Sequence, residues 1–120
     1  MDAALDLPIG FDRRALTRDD IDAVVALANA CELHDVGFTM WEREDLASDF
    51  RIDGVNPTDD TVGIWDADRL VAWGFLPNER GAWADVRPDV CRRGLGTWVR
   101  VWTENRARQR ESYTHLAIDL

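Results

Sequence analysis

Residues 86–98 read VRPDVCRRGLGTW, and they gather three arginines, Arg87, Arg92 and Arg93, around the glycine pair Gly94 and Gly96. A strand-like run, AWADV (82–86), leads in, and Leu95, Trp98, Val99 and Trp102 recur at helical spacing on the way out. The turn therefore stands at the mouth of a helix. Such a mouth offers unpaired amide N–H groups and the positive end of the helix dipole. Glycine there lets a ligand approach the backbone without meeting a Cβ. A phosphate is the natural guest. The N–H groups of Gly94, Leu95, Gly96 and Thr97 would point at the anion, and Arg92 and Arg93 would add charge.

The chain around this stretch is acidic, with a net charge of −9 over 120 residues. All 14 basic residues are arginine, and residues 87–110 hold seven of them against only Asp89 and Glu104. An acidic protein with one basic segment is not built to wrap nucleic acid. It suits one small anionic ligand docked at one place. Arg100, Arg106, Arg108 and Arg110, further along, read as a solvated helix face. Other chemistries fail on spacing. A phosphate-binding Walker loop needs lysine, and the chain has none. A dinucleotide fingerprint needs a third glycine where Thr97, Trp98 and Val99 follow Gly96. Cys91 has no histidine at motif-like spacing, so it is not read as a nucleophile. His34 and His115 lack partners and are given no role. Cys31 and Cys91 fit no zinc pattern, so no metal is expected. With no secretion signal and no apolar run of membrane length, the chain is expected to be cytoplasmic, with its thiols reduced.

The elements that must carry the turn can be read in order. FDRRAL (11–16) is a first strand. Thr17 and Asp20 form an approximate capping box before RDDIDAVVALANA, whose Ile21, Val24, Val25 and Ala28 mark one buried face. Thr39 and Glu42 suggest a second cap, opening a helix over 41–50. RIDGVNPTDD (51–60) is a polar loop. TVGIW (61–65) and RLVAWGFL (69–76) are strands joined by DAD, a hairpin signal; PNERG (77–81) turns the chain into AWADV. A helix follows over about 95–109, and HLAIDL (115–120) reads as a last strand. Most of the six tryptophans are expected in the core, with one or two on the strands walling a cleft. The result is one α+β domain over 1–120, ordered β-α-α-β-β-β-α-β, with a mostly antiparallel sheet. The helix between the last two strands would make them parallel, in a right-handed βαβ crossover.

This pattern resembles the GNAT superfamily of acyl-CoA N-acyltransferases. The family's central motif, V-x-P-x-x-R-G-x-G-x-G/A, lies between a strand and a helix. Residues 86–96 here read VRPDVCRRGLG, matching at Val86, Pro88, Gly94 and Gly96. Cys91 stands where the family has arginine or glutamine, and Arg92 where it has glycine. The element order is also similar. The segments Thr17–Ala30 and Trp41–Phe50 look like actinobacterial members, including the N-terminal half of tandem proteins of the mycothiol-synthase type.

The resemblance implies an acetyl-CoA cosubstrate. Val86 would pair through its backbone with the pantetheine arm, and the amides of Gly94, Leu95, Gly96 and Thr97 would hold the pyrophosphate beside Arg92 and Arg93. The reaction would be acyl transfer to an amine, a small molecule or a peptide, which needs a base. Glu79 and Asp85, at the two ends of the third meander strand, are the nearest candidates. The family usually continues past the strand matching HLAIDL into a helix with a tyrosine acid and a closing strand pair. Tyr113 precedes that strand and cannot be that tyrosine. The sequence therefore reads as a C-terminally incomplete domain. An uncovered edge at 115–120 would favour self-association or a complementary C-terminal half. The alternative is a non-catalytic, degenerate half that packs against a partner or binds CoA without turnover.

Overall fold

Two strands have no solvent face, and they set the layout. Thr61–Asp66 (β2) is buried everywhere but Asp66, and Leu70 to Pro77 are buried within Arg69–Asn78 (β3). Such strands must lie mid-sheet with cover on both sides. The computed structural model describes residues 6–37, 42–52, 54–78, 81–90 and 92–119, with 111–119 as backbone only. Its sheet runs Asp12–Arg14 (β1), β2, β3, Gly81–Val86 (β4), with every pairing antiparallel. Ile21–Val36 (α1) and Arg43–Asp49 (α2) cover one face. A single helical turn, Pro57–Asp60 (α3), leads into β2, and Leu95–Asp119 (α4) covers the opposite face.

A β-bulge divides the two cores. Ile64 lies opposite Ala72 and Trp65 opposite Leu70, so Val71 is the extra residue. Val71 and Ala72 both join the α4 core with Val62, Ile64, Leu95, Trp98 and Val99. Leu70, Trp73 and Phe75 join the other, with Leu27 of α1 and Leu46 of α2. Helix α4 comes close because Gly74 has no side chain: a Cβ there would lie 2.9 Å from Val99 Cγ1.

The first capping box is as expected. Asp19 N donates to Thr17 Oγ1, Thr17 N donates to Asp20, and a short 3-10 turn runs on into α1. Arg14 clamps Asp20 with two hydrogen bonds, of 2.8 and 2.9 Å, and holds that carboxyl below its ordinary range. The second cap differs: Thr39 and Trp41 lie outside the described residues, and α2 opens at Arg43 with Glu42 and Asp45 forming the box.

Two expectations along α4 need correction. Arg106 and Arg110 are not a solvated face. Arg106 Nε donates to Asp60 Oδ1 at 2.8 Å, and Arg110 Nη1 donates to the Leu76 carbonyl at 2.7 Å. Asp60 is 1% exposed and also accepts from Asn56 N at 2.8 Å. A charge that deep requires such partners. Only Arg100, paired with Glu104, and Arg108, bonded to Asn105, remain at the surface.

The second correction concerns 115–120. Residues 115–119 continue α4, so the expected strand and its parallel crossover are not found among the described residues. The apolar run Leu116, Ala117 and Ile118 suggested a strand, yet no glycine or proline follows Gly96 to stop the helix. Good helix formers such as Glu104, Ala107, Gln109 and Glu111 fill the interval. Residues 115–119 therefore present no sheet edge. Among the described residues, the sheet edge next to the motif is that of β4.

Candidate functional site

The site grows from the end of β4. Arg87 N donates to Val71 O at 2.8 Å, which keeps the ladder going one residue past the Val86–Ala72 pair. In an antiparallel ladder this makes Val86 a residue whose own N–H and C=O point away from β3, onto the open edge. The chain then makes a 3-10 turn at Pro88–Val90, with Val90 buried as its anchor. Two left-handed residues follow, Arg92 at φ 69 and Gly94 at φ 86. Trp98 N donates to Gly94 O at 3.1 Å, closing the first turn of α4. The N–H groups of Leu95, Gly96 and Thr97 thus precede any i−4 acceptor. Gly94, Gly96 and Thr97 are exposed, while the Leu95 side chain anchors the helix in the core. Gly94 and Gly96 leave room above the backbone: among the described residues, a Cβ on Gly94 would meet Pro8 Cγ at 3.6 Å, and one on Gly96 Val86 Cγ2 at 3.9 Å.

The arginines divide. Arg93 lays its guanidinium over Phe11, 4.9 Å from the ring centroid. Arg87 donates to the Leu70 carbonyl at 3.1 Å and is half-buried. Arg92 is exposed and makes no ion pair among the described residues. Cys91 and Glu79 lie outside the described residues. The structure therefore brings Val86, Arg92, Arg93, Gly94, Leu95, Gly96 and Thr97 into one turn, and of the two candidate bases it describes Asp85 alone.

Asp85 is one residue from that turn, on the α1 face of the sheet. It lies directly across the ladder from Trp73, whose Nε1–H donates to Asp85 Oδ2 at 2.7 Å. Beside it is a cleft of about 250 Å³, lined by Cys31, His34, Asp35, Ala84, Asp85, Val86 and Pro88. Burial pushes the Asp85 carboxyl above the ordinary aspartate range. The Trp73 hydrogen bond opposes that rise, and the charges of Glu32 and Asp35 add to it. Burial, with Asp85 and Asp35 nearby, pushes the Cys31 thiol up to about 12. That thiol stays protonated, and its S–H donates to the Val86 carbonyl at 3.3 Å. Sequence reasoning missed Cys31, His34, Asp35 and Trp73. The first three sit on the last turns of α1, and only folding brings them to the β4 edge. Of the strand tryptophans, Trp65 and Trp73 are core, and Trp83 on β4 is 44% exposed. Among the described residues no group of histidine, cysteine, aspartate or glutamate is arranged to hold a metal, and no helix is long and apolar enough to cross a membrane.

A mixed α/β domain with this sheet and this strand-to-helix turn has the fold of the GCN5-related N-acetyltransferases. It is similar to a GCN5-related N-acetyltransferase from Sphaerobacter thermophilus, at 24% identity and a TM-score of 0.79 over 89% of this chain. It also resembles the ribosomal-protein-S18-alanine N-acetyltransferase of Escherichia coli, at 16% identity and a TM-score of 0.61. A third likeness is to the paia N-acetyltransferase of Thermoplasma acidophilum in complex with coenzyme A, at 11% and 0.62. The chain spans 35% of the Sphaerobacter protein's length, 61% of the Escherichia protein's and 75% of the Thermoplasma protein's. No family model matches the sequence, and no curated protein matches it.

Proposed function

We propose that this domain binds an acyl-CoA at the 86–97 turn and passes the acyl group to an amine, with Asp85 as the base. One observation carries the reading. The helix-mouth amides follow the outward-facing backbone of Val86 by one turn, a Cβ on Gly96 would stand 3.9 Å from Val86 Cγ2, and Val86 and Asp85 line the neighbouring cleft. The amides of Gly94, Leu95, Gly96 and Thr97 would hold the pyrophosphate, with Arg92 supplying charge that no ion pair among the described residues shares and Arg93 a shorter reach from Phe11. Cys31 already occupies the Val86 carbonyl, which leaves the Val86 N–H as the open donor for the pantetheine arm. In the reaction the amine nitrogen forms a bond to the thioester carbon as the C–S bond breaks, and coenzyme A leaves as a thiolate that takes up the proton the nitrogen sheds on becoming an amide. Asp85 would take the proton that the incoming ammonium gives up, and its raised affinity for a proton suits that task. Amide donors and Asp85 need no metal in this scheme.

The test is calorimetry with acetyl-CoA on the wild type and Gly94→Glu. The variant puts a side chain and a negative charge over the amides. Binding should weaken at least about tenfold, ~1.4 kcal/mol. Equal affinity in both proteins, or no binding by folded wild type, would contradict the site. A second reading, a degenerate half that binds CoA without turnover, is favoured by Arg92 standing where the family's motif has glycine. Acetyl-CoA consumption against a panel of amines separates the two. A complementary half, self-association and the cytoplasm as its compartment remain proposals, to be read from light scattering and cell fractionation.

A further inference from the structure

We infer that Trp73 is a positioning residue, which fixes the Asp85 carboxylate and sets the pH at which it can accept a proton; this rests on the reading of Asp85 as the base. Trp73 is 0% exposed, shares one buried cluster with Leu70 and with Leu27 of α1, and stands 5.9 Å from the Phe75 ring, centroid to centroid. Its ring cannot turn without opening the core, so the direction of its N–H is fixed. Asp85 is its cross-strand partner, and the 2.7 Å bond holds Oδ2 in place. The Cys31 thiol also lies within hydrogen-bonding reach of the carboxylate and favours its charged form, less strongly than the indole does. A buried indole N–H needs a partner, and Asp85 is the one it has. The bond thus serves both residues, which makes it stable as well as directional.

The groups around Asp85 show why a donor matters here. Helix α1 presents Glu32 and Asp35, whose charges raise the Asp85 pKa, as well as the Cys31 thiol and His34 at the same cleft. Arg87, just past β4, is turned toward the Leu70 carbonyl. With burial and two carboxylates all favouring protonation, Asp85 without Trp73 would spend more of its time neutral. A neutral carboxyl cannot act as base. The indole opposes this without adding a mobile charge to the cleft.

The first experiment follows the wild type alone. Across a pH titration, the Trp73 indole N–H resonance should move with the same midpoint as the Asp85 side-chain carboxyl carbon. An indole resonance that stays flat while Asp85 titrates overturns the inference, and this arm requires no mutant to fold. The second uses Trp73→Phe, which keeps an aromatic ring at that place and removes the donor. The Asp85 midpoint should rise, and the acid limb of the rate profile should rise with it. Turnover should fall with KM for acetyl-CoA unchanged. An unchanged Asp85 midpoint in folded Trp73→Phe also overturns the role. Asp85→Asn separates the two failures: full transferase activity in that variant rejects Asp85 as base, whatever the indole does.

Discussion

The arginines at the mouth of α4 and those at its middle belong to one basic segment, yet the fold treats them oppositely. Arg106 and Arg110 are turned inward onto Asp60 and the Leu76 carbonyl and tie the helix to α3 and β3. Arg92 stands in solvent on a left-handed residue with no ion pair among the described residues. A count of charges along the sequence treats these residues alike. Only the partnered ones are structural, and only an unpartnered one has its charge to offer a ligand. Breaking each in turn should therefore give opposite results.

The largest effect is expected at Arg106. Arg106→Ala strands Asp60, at 1% exposure, with its principal countercharge gone. Removing one partner of such a pair costs about 3–5 kcal/mol. Denaturant melts should show a loss near the lower figure, since Arg110 lies 3.8 Å from Asp60 and can partly replace Arg106. Acetyl-CoA affinity of the folded fraction should not change. Arg92→Gly should do the reverse. A side chain in the left-handed region costs about 1 kcal/mol, which glycine removes. The variant should melt higher and bind acetyl-CoA more weakly, because a free charge has left the anion site. Lower stability in Arg92→Gly would mean that the arginine has a structural bond after all.

The smallest effect is expected at Asp85. Its folded pKa lies above the ordinary 3.8, so the folded chain holds that proton more tightly than the unfolded one. This contribution to stability therefore grows as pH falls from neutral through the folded pKa, and it is lost as pH rises through it. Asp85→Asn can still accept from Trp73 Nε1 and carries no charge to bury. The wild-type-minus-variant difference in unfolding free energy should become more favourable to wild type as pH is lowered through that window. At neutral pH the variant should be the more stable. A pH-independent difference would mean that Asp85 is solvated.

Where sequence patterns met strong physical constraints, they were legible. The β2–β3 hairpin, the Thr17 capping box and the β4-turn-α4 unit follow from alternation, capping chemistry and glycine placement. The end of α4 was not, because three apolar residues look alike in a strand and on a helix face. Without a glycine or proline the helix simply continues. The Asp85 cleft was half legible. The carboxylate could be nominated from its place beside the motif, but its partners Cys31, Asp35 and Trp73 come from elements far apart in sequence. Arg106 and Arg110 were misjudged for the same reason: their acceptors, Asp60 and Leu76, lie more than thirty residues away.

The claim on which the rest depends is that the mouth of α4 and the edge at Val86 are one ligand surface. A titration of ¹⁵N-labelled protein with coenzyme A, followed by amide chemical shifts, addresses it residue by residue. The account predicts that the amides of Val86, Gly94, Leu95, Gly96 and Thr97 move together with a single affinity, while those around Asp60 and Arg106 stay still. Coenzyme A that moves no amide in 86–97, or that moves only amides elsewhere, would contradict it.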